Sequence, residues 1–347
     1  MTQSLSDLSD QILKAAKNAG ADAADAIAVD GTSLSITVRE GALEQAERSE
    51  GIDIGLRVFV GQRQACVSSS DTKPDTLIQM AERAVAMAKE APADPHAGLA
   101  DPSQLTTNTA TETLELYDPS DEPDPAALQE DATRAEAAAL RNAGVSQVQS
   151  ASAGYGRRRI HLAATNGFSA GYARSDCGLS CVAISGTGAG MERDYDYDSR
   201  VFQADLRDAE EIGRIAAERA VERMGAKKPK TGAFPVLFDE RVASTLIGSL
   251  LQATNGMMIA RGSSWLRDAV GAQVLPKGLS VIEDPHRARV TGSRLFDAEG
   301  LATSQRAIVD DGVLTGWTLD LATGRKLGLD STANAARGTG SPPSPSL

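Results

Sequence analysis

Histidine and cysteine are scarce in this chain, with three of each in 347 residues. Cys66, Cys177 and Cys181 are too few for a disulfide framework and fit a reducing compartment. His96, His161 and His286 are far apart in sequence, which narrows the metal and acid-base chemistry open to the protein. Aromatic residues make up only 4%, so the core must be packed from Ala, Val, Leu and Ile. No apolar run approaches the roughly 18 residues that span a bilayer. The polar stretch Met1 to Asp10 lacks the basic start and apolar middle of a secretory signal, so the chain reads as cytoplasmic. Cations are also in deficit: 35 Lys and Arg against 47 Asp and Glu leave a net charge of −12, which disfavours direct binding to a phosphate backbone.

What is present is an internal repeat. An amphipathic helix, Leu5 to Asn18, ends at Asn18-Ala19-Gly20, and a second, Pro125 to Asn142, ends at Asn142-Ala143-Gly144. After each, the period changes to that of strands. The first copy offers Asp25–Val29, Ser33–Arg39, Glu44–Ser49 and Gly51–Val60, with Asp30-Gly31, Gly41 and Gly61 as turns. The second offers Val145–Ala153, Arg158–Thr165, Phe168–Ser175 and Gly178–Gly186, with Asn166-Gly167 as a tight hairpin turn. The closing helices, Pro74–Glu90 and Ala209–Met224, share the string Ala-Glu-Arg-Ala-Val. The predicted class is therefore α+β: an N-terminal region over 1–228, with units at about 1–90 and 125–226 joined by a Pro/Asp/Thr-rich connector over 91–124, followed by a mainly β domain over 229–347. In that last region an apolar strand, Phe234–Phe238, leads into a helix from Glu240 to about Gln252. Strands follow at Val274–Ile282, Arg294–Phe296, Ala307–Val309 and Val313–Leu319, and the Pro/Ser tail, Ser341 to Leu347, cannot form regular structure by itself.

A helix entered from a strand is a rigid platform for chemistry. Here the passage reads Asp239-Glu240-Arg241-Val242-Ala243-Ser244. Its plain reading is a helix cap: Asp239 accepts backbone N–H groups and Glu240 complements the dipole. With Asp284-Pro285, Gly292-Ser293, Phe296-Asp297-Ala298-Glu299-Gly300, Asp311-Gly312-Val313-Leu314 and the stretch from Gly338 through the tail, the chain resembles the TldD/PmbA proteins, also called modulators of DNA gyrase and classed as metallopeptidases. The resemblance runs from the first helix to the end.

It implies two branches that pair as a heterodimer. The catalytic TldD branch carries His-Glu-x-x-x-His on this helix, with a Cys further on, to hold zinc, and its Glu acts as general base. Here Asp239 stands at the first His, Glu240 keeps the Glu and Ser244 replaces the second His. Hydroxyl and carboxylate oxygens are poor substitutes for two imidazoles at zinc. The resemblance therefore points to the PmbA/TldE branch: no catalytic residue, metal or cofactor in this chain, zinc in a TldD-type partner, unfolded peptides as substrates, and a homodimer as the form the isolated chain could take. Family chains continue past the position of Leu347, so the C-terminal domain reads as incomplete. Two other readings stay open: a stand-alone metallopeptidase using Glu240 with ligands not yet located, and a peptide-binding or homodimeric regulatory module without protease activity.

Other patterns carry less. Gly167-Phe168-Ser169-Ala170-Gly171 matches a nucleophile elbow, but the segment after it reads as strand where that motif needs a helix. Asp194, Asp196 and Asp198 alternate with Tyr195 and Tyr197; this reads as a solvated acidic strand end balanced by Arg193 or Arg200, and lacks the Gly and Glu of a calcium loop. Cys177 and Cys181 would be roughly 13 Å apart in a strand, too far for one metal, and read as core thiols. Gly186 to Gly190 has no helix start after it to cradle phosphate. Asp297 and Glu299 read as surface carboxylates on one strand face.

Overall fold

In the computed structural model, which describes residues 4–347, the two copies share one six-stranded antiparallel sheet ordered β3-β2-β1-β4-β5-β6. Met1 to Gln3, which open the first unit in the sequence reading, lie outside the described residues. The first copy supplies α1 (Leu5–Asn18), β1 (Ala23–Arg39), β2 (Ala42–Val60), β3 (Arg63–Ser69) and α2 (Pro74–Glu90). The second supplies α3 (Pro125–Leu140), β4 (Val145–Ala164), β5 (Ser169–Ser185), β6 (Glu192–Arg200) and α4 (Ala209–Glu222). The copies meet where β1 pairs with β4, from Asp25↔Ala164 to Val38↔Ala151. All four helices cover one face of the sheet.

The strands are longer than the sequence pattern suggests. Asp30-Gly31 does not turn; β1 runs straight through it. Gly31 faces Gly51 of β2, and a side chain there would meet the Arg157 carbonyl and the Arg158 side chain at 3.2 Å. The glycine is there for close approach. The breaks expected at 49–51, 153–158 and 175–178 are likewise absent, because each pair of short strands is one strand of β2, β4 or β5. The turn between β1 and β2 is Glu40-Gly41, both at positive φ, and its two amides donate to the Glu136 carboxylate of α3 at 2.7 and 2.8 Å. A helix of one copy thus caps a turn of the other. Asn166-Gly167 does form the β4–β5 hairpin, with Gly167 at φ +100°.

With few aromatics, the helix layer approaches the sheet through alanine. One core joins Leu8, Ile12, Leu77 and Met80 to Ile54, Leu56 and Val58. Another joins Ala132, Ala135, Ala139, Ile212, Ala216 and Ala220 to Leu34, Ile36, Val38, Leu179 and the thiols Cys177 and Cys181. Burial pushes those thiols up to about 11 and about 12, as expected of inert core cysteines.

Residues 229–347 pack partly on the opposite sheet face, where Phe296 meets Phe168 and Tyr172 edge-on at 5.4 and 5.7 Å. The β structure of this region is sparser than its pattern suggests. It comprises β7 (Val281–Glu283), β8 (Arg306–Asp310), β9 (Val313–Leu314), and β10 (Ala335–Ala336) paired with β11 (Ser344–Pro345) in the tail. Helices α5 (Glu240–Ala253), α6 (Gly256–Arg261) and α7 (Leu321–Leu327) and long loops fill the rest. Phe234–Phe238, expected as a strand, is not one. No neighbouring strand among the described residues pairs with it, and Leu237 is 98% exposed. Among the described residues no helix is long and apolar enough to cross a membrane.

The tight helix contact makes a signed prediction. A Cβ on Gly213 of α4 would sit 2.0 Å from the Ala135 carbonyl oxygen, whereas one on Gly248 of α5 would meet nothing within 4 Å. Chemical denaturation should show Gly213→Ala destabilised by about 2 kcal/mol or more and Gly248→Ala stabilised by about 0.5–1 kcal/mol. A neutral Gly213→Ala would contradict the packing.

Candidate functional site: the first turn of α5

Asp239 is the N-cap of α5: its Oδ1 accepts the Arg241 amide at 3.0 Å, as the cap reading requires. The same Oδ1 accepts Arg241 Nε at 3.1 Å. The Arg241 guanidinium then reaches across to β6, where Nη1 donates to Asp194 Oδ1 at 2.8 Å and the plane lies over the Tyr195 ring, 5.5 Å from its centroid. Arg241 therefore bridges the cap carboxylate and the sheet edge. Hydrogen bonds from the Arg241 amide and side chain hold Asp239 below the usual carboxylate range. Glu240 is exposed on the first turn, and the exposed Ser244 donates its hydroxyl to the Arg241 carbonyl at 2.9 Å.

Asp239, Glu240 and Ser244 thus share one helix end, but not as a metal site. The cap oxygen is already shared between an amide and a guanidinium, and the fixed positive charge 3.1 Å away opposes a dication. Ser244 points its proton at its own helix. Among the described residues no three His, Cys, Asp or Glu side chains gather to hold a metal. His286 bonds Thr303 at 3.0 Å, and His161 sits between Ser9 and Ser169. This donor set does not fit zinc, and no step through zinc is assigned to it.

The acidic strand differs from its sequence reading. Asp194, Asp196 and Asp198 are buried, and Tyr195 and Tyr197 stack on the exposed face with centroids 6.0 Å apart. Arg200 does pair with Asp198 at 3.1 Å, but Arg193 bonds Gln149 instead. The other cations come from distant segments: Arg207 and Arg219 on Asp196 at 2.7 and 2.6 Å, and Arg223 and Arg241 on Asp194 at 3.5 and 2.8 Å. Burial acts to raise the Asp194 carboxyl, yet hydrogen bonds from Arg241 and the Tyr195 amide bring it below its ordinary value. Arginines also cover the sheet edge, since Arg219 and Arg241 donate to the Tyr195 carbonyl and Arg207 to that of Tyr197.

Asp297 and Glu299 also differ from expectation, because neither is a surface carboxylate. Asp297 is buried and ties its loop together, accepting the amides of Glu299, Leu301 and Ala335 at 2.9 to 3.0 Å. Glu299 accepts the Leu321 amide at the start of α7 at 2.8 Å. It lines a small internal cavity with Asp25, Arg57 and Arg337. Arg57 Nε meets Asp25 at 2.8 Å, and Arg337, whose side chain is 1% exposed, pairs with the same carboxylate, which joins the C-terminal region to β1. Burial pushes Asp25 up, but the two guanidinium groups outweigh it and hold the carboxyl below its usual value. Burial, helped by the Asp297 charge, pushes Glu299 up to about 8.

Ser169 lies 3.4 Å from His161 Nε2, but its helix is missing as expected: β5 follows. Gly171 is small because a side chain there would sit 2.8 Å from the Ile160 carbonyl oxygen and 3.2 Å from the His161 ring. Sequence reasoning missed the pairing of Arg241 with Asp194. The only local signal was an arginine two residues after a cap, and nothing local indicates a contact 47 residues away.

Family models match residues 24–88 as PmbA/TldA metallopeptidase domain 1, 118–224 as the PmbA/TldA metallopeptidase central domain and 231–347 as the PmbA/TldA metallopeptidase C-terminal domain. The chain is 34% identical to Metalloprotease PmbA of Escherichia coli O157:H7 over 308 residues, covering 88% of this chain and 67% of that protein. A Bacteroides thetaiotaomicron structure described as a modulator of DNA gyrase superposes with a TM-score of 0.88 at 25% identity, covering 94% of this chain and 74% of the other. TldE from Thermococcus kodakarensis shares the fold, with a TM-score of 0.78 at 17% identity over 95% of this chain and 73% of its own.

Two predictions follow from these charges. Arg241→Gln leaves Asp194 with the longer Arg223 contact as its cation, beside the Tyr195 amide, so stability should fall by about 1–2 kcal/mol, discounted for partial exposure. Hydrogen exchange in the first turn of α5 should rise with it, and unchanged exchange would contradict the bridge. For Glu299, the unfolded carboxyl ionises near 4.5 and the folded one near 8. In that window the folded chain holds a proton the unfolded chain has lost, so stability decreases as pH rises. Glu299→Gln should therefore gain on the parent by on the order of 3 kcal/mol between pH 5 and pH 7 in denaturant titrations; an equal difference at both pH values would contradict it.

Proposed function

The chain belongs to the PmbA/TldD metallopeptidase family, and on that premise we propose that it is a non-catalytic, PmbA/TldE-type subunit that pairs in the cytoplasm with a zinc-bearing TldD-type subunit. The observation that carries this reading is the arginine bridge. The carboxylate at the position of the first zinc ligand is used as a helix cap and as an Arg241 partner, and Ser244 is used by its own helix. Glu240 is left exposed, and among the described residues no donor set gathers beside it to hold a metal that would activate water.

A second feature supports a partner. Beside Asp239 the chain exposes Phe234, Val236, Leu237 and Phe238, continued on α5 by Val242, Leu246 and Ile247. Contiguous apolar surface of this kind marks a contact face. With zinc in the partner, this subunit would help enclose unfolded peptide, whose extended backbone can add to a sheet edge.

Peptidase assays on an unfolded fluorogenic peptide test the proposal. The pure chain should show no turnover. Mixing it with a TldD-type subunit should give chelator-sensitive turnover that Glu240→Gln in this chain leaves intact. Chelator-sensitive turnover by the chain alone, lost in Glu240→Gln, would establish the stand-alone enzyme instead. No turnover in the mixture, with only self-assemblies recovered, would favour a homodimeric binding module.

A further inference from the structure

The two edges of the central sheet are finished differently. Along β6 the Tyr195 and Tyr197 carbonyls already accept hydrogen bonds from Arg207, Arg219 and Arg241. On the other side, β3 covers β2 only from Ile54 to Val60. Nearer the β1–β2 turn, Glu44 is skipped as a bulge where the register passes from Thr37↔Gln45 to Val38↔Leu43. Between the bulge and β3 lie residues 45–53, which pair in register with β1; among the described residues no strand pairs with their outer side. All of them except the half-buried Ile52 are exposed. A bare strand edge is a template for another strand.

The pairing fixes which groups this edge offers. The Thr165 amide donates to the Ala24 carbonyl, so Ala24 turns its main chain toward β4, and alternation turns Asp25, Ile27 and so on to Thr37 toward β2. Their partners on β2 are the odd-numbered residues, Arg57 back to Gln45. The even-numbered residues of the window, Ala46, Arg48, Glu50 and Ile52, therefore turn amide and carbonyl outward. The side chains then select the partner. A second copy laid antiparallel about Ser49, the middle of the window, sets Arg48 opposite Glu50 of that copy, Ala46 opposite Ile52, Glu47 opposite Gly51 and Gln45 opposite Asp53, and two-fold symmetry makes each contact twice. Outward residues meet outward residues, and no like charges stand opposite. Centring on Glu47, Arg48 or Glu50 would put like charges on the axis, and centring on Ala46 would use the bulged Glu44. The net charge of −12 opposes association at long range, so the alternating signs at the edge decide it at short range.

We propose that residues 45–53 of β2 form a self-docking edge, where two copies of this chain pair antiparallel about Ser49 and join their sheets into one. This edge is at the far side of the sheet from β6, to which Arg241 ties α5. The contact is therefore independent of the zinc-partner reading and leaves the apolar face beside Asp239 free.

Sedimentation equilibrium of the full chain in physiological salt should show a concentration-dependent equilibrium of monomer and dimer. Arg48→Glu or Glu50→Arg alone puts like charges opposite and should weaken the dimer about 5–30-fold, whereas Arg48→Glu combined with Glu50→Arg should restore it. Ser49→Cys tests the register. On the axis its two Cα atoms would lie about 4.5 Å apart, within disulfide reach, so mild oxidation should give a covalent dimer. Glu47→Cys sets its thiols roughly 13 Å apart and should cross-link no more than the parent. Leu237→Asp, on the apolar face, should leave the dimer intact. A chain that stays monomeric, equal cross-linking at 47 and 49, or a dimer lost in Leu237→Asp but indifferent to Arg48→Glu would overturn the proposal.

Discussion

The guanidinium of Arg241 lies between two carboxylates that belong to different parts of the chain. Asp239 begins α5, and Asp194 is buried on the edge strand β6. A buried carboxylate needs a compensating charge, and here the helix end supplies it. That one arrangement caps the start of α5, compensates the charge of Asp194, and commits Asp239 Oδ1 to the helix amide and the guanidinium. The local chemistry at Asp239 thus follows from a packing requirement of the sheet edge.

The same economy of paired charge recurs along the second copy. Asp194, Asp196 and Asp198 face inward on alternate residues of β6, and arginines from the segment before α4, from α4 and from α5 meet them in turn. On the opposite sheet face, Asp25 collects Arg57 from β2 and Arg337 from the C-terminal region. Breaking such a pair leaves an uncompensated buried charge, so each ties distant segments more firmly than its net contribution to stability implies. Aliphatic packing through alanine makes the layers; these carboxylates set which segments dock where.

Much of this was legible in the sequence. Helices α1 to α5 begin close to where capping residues and period place them, because those signals are local. The duplication was legible because it repeats in order. Strand lengths were not: Gly31 looks like a turn residue, and only the facing strand β4 shows that it answers crowding. The same limit explains the site. Asp239 as a cap is local information, whereas Asp194 looks like a solvated acid until Arg241 and Arg223 are brought to it. Asp297 and Glu299 share a strand-like spacing, and only the folded loop shows that they bind the amides of residues 301, 335 and 321. Phe234–Phe238 was misread because apolar β-prone sequence does not by itself supply a pairing neighbour.

The central claim is that the start of α5 commits Asp239 Oδ1 and the Ser244 hydroxyl to its own helix and to Arg241, and gathers no donor set for zinc. Zinc titration of the purified full chain by isothermal calorimetry, followed by metal analysis after gel filtration, tests it directly. The account predicts no stoichiometric zinc and no change on Asp239→Ala. One tightly held zinc per chain, lost in Asp239→Ala or Glu240→Ala, would contradict it.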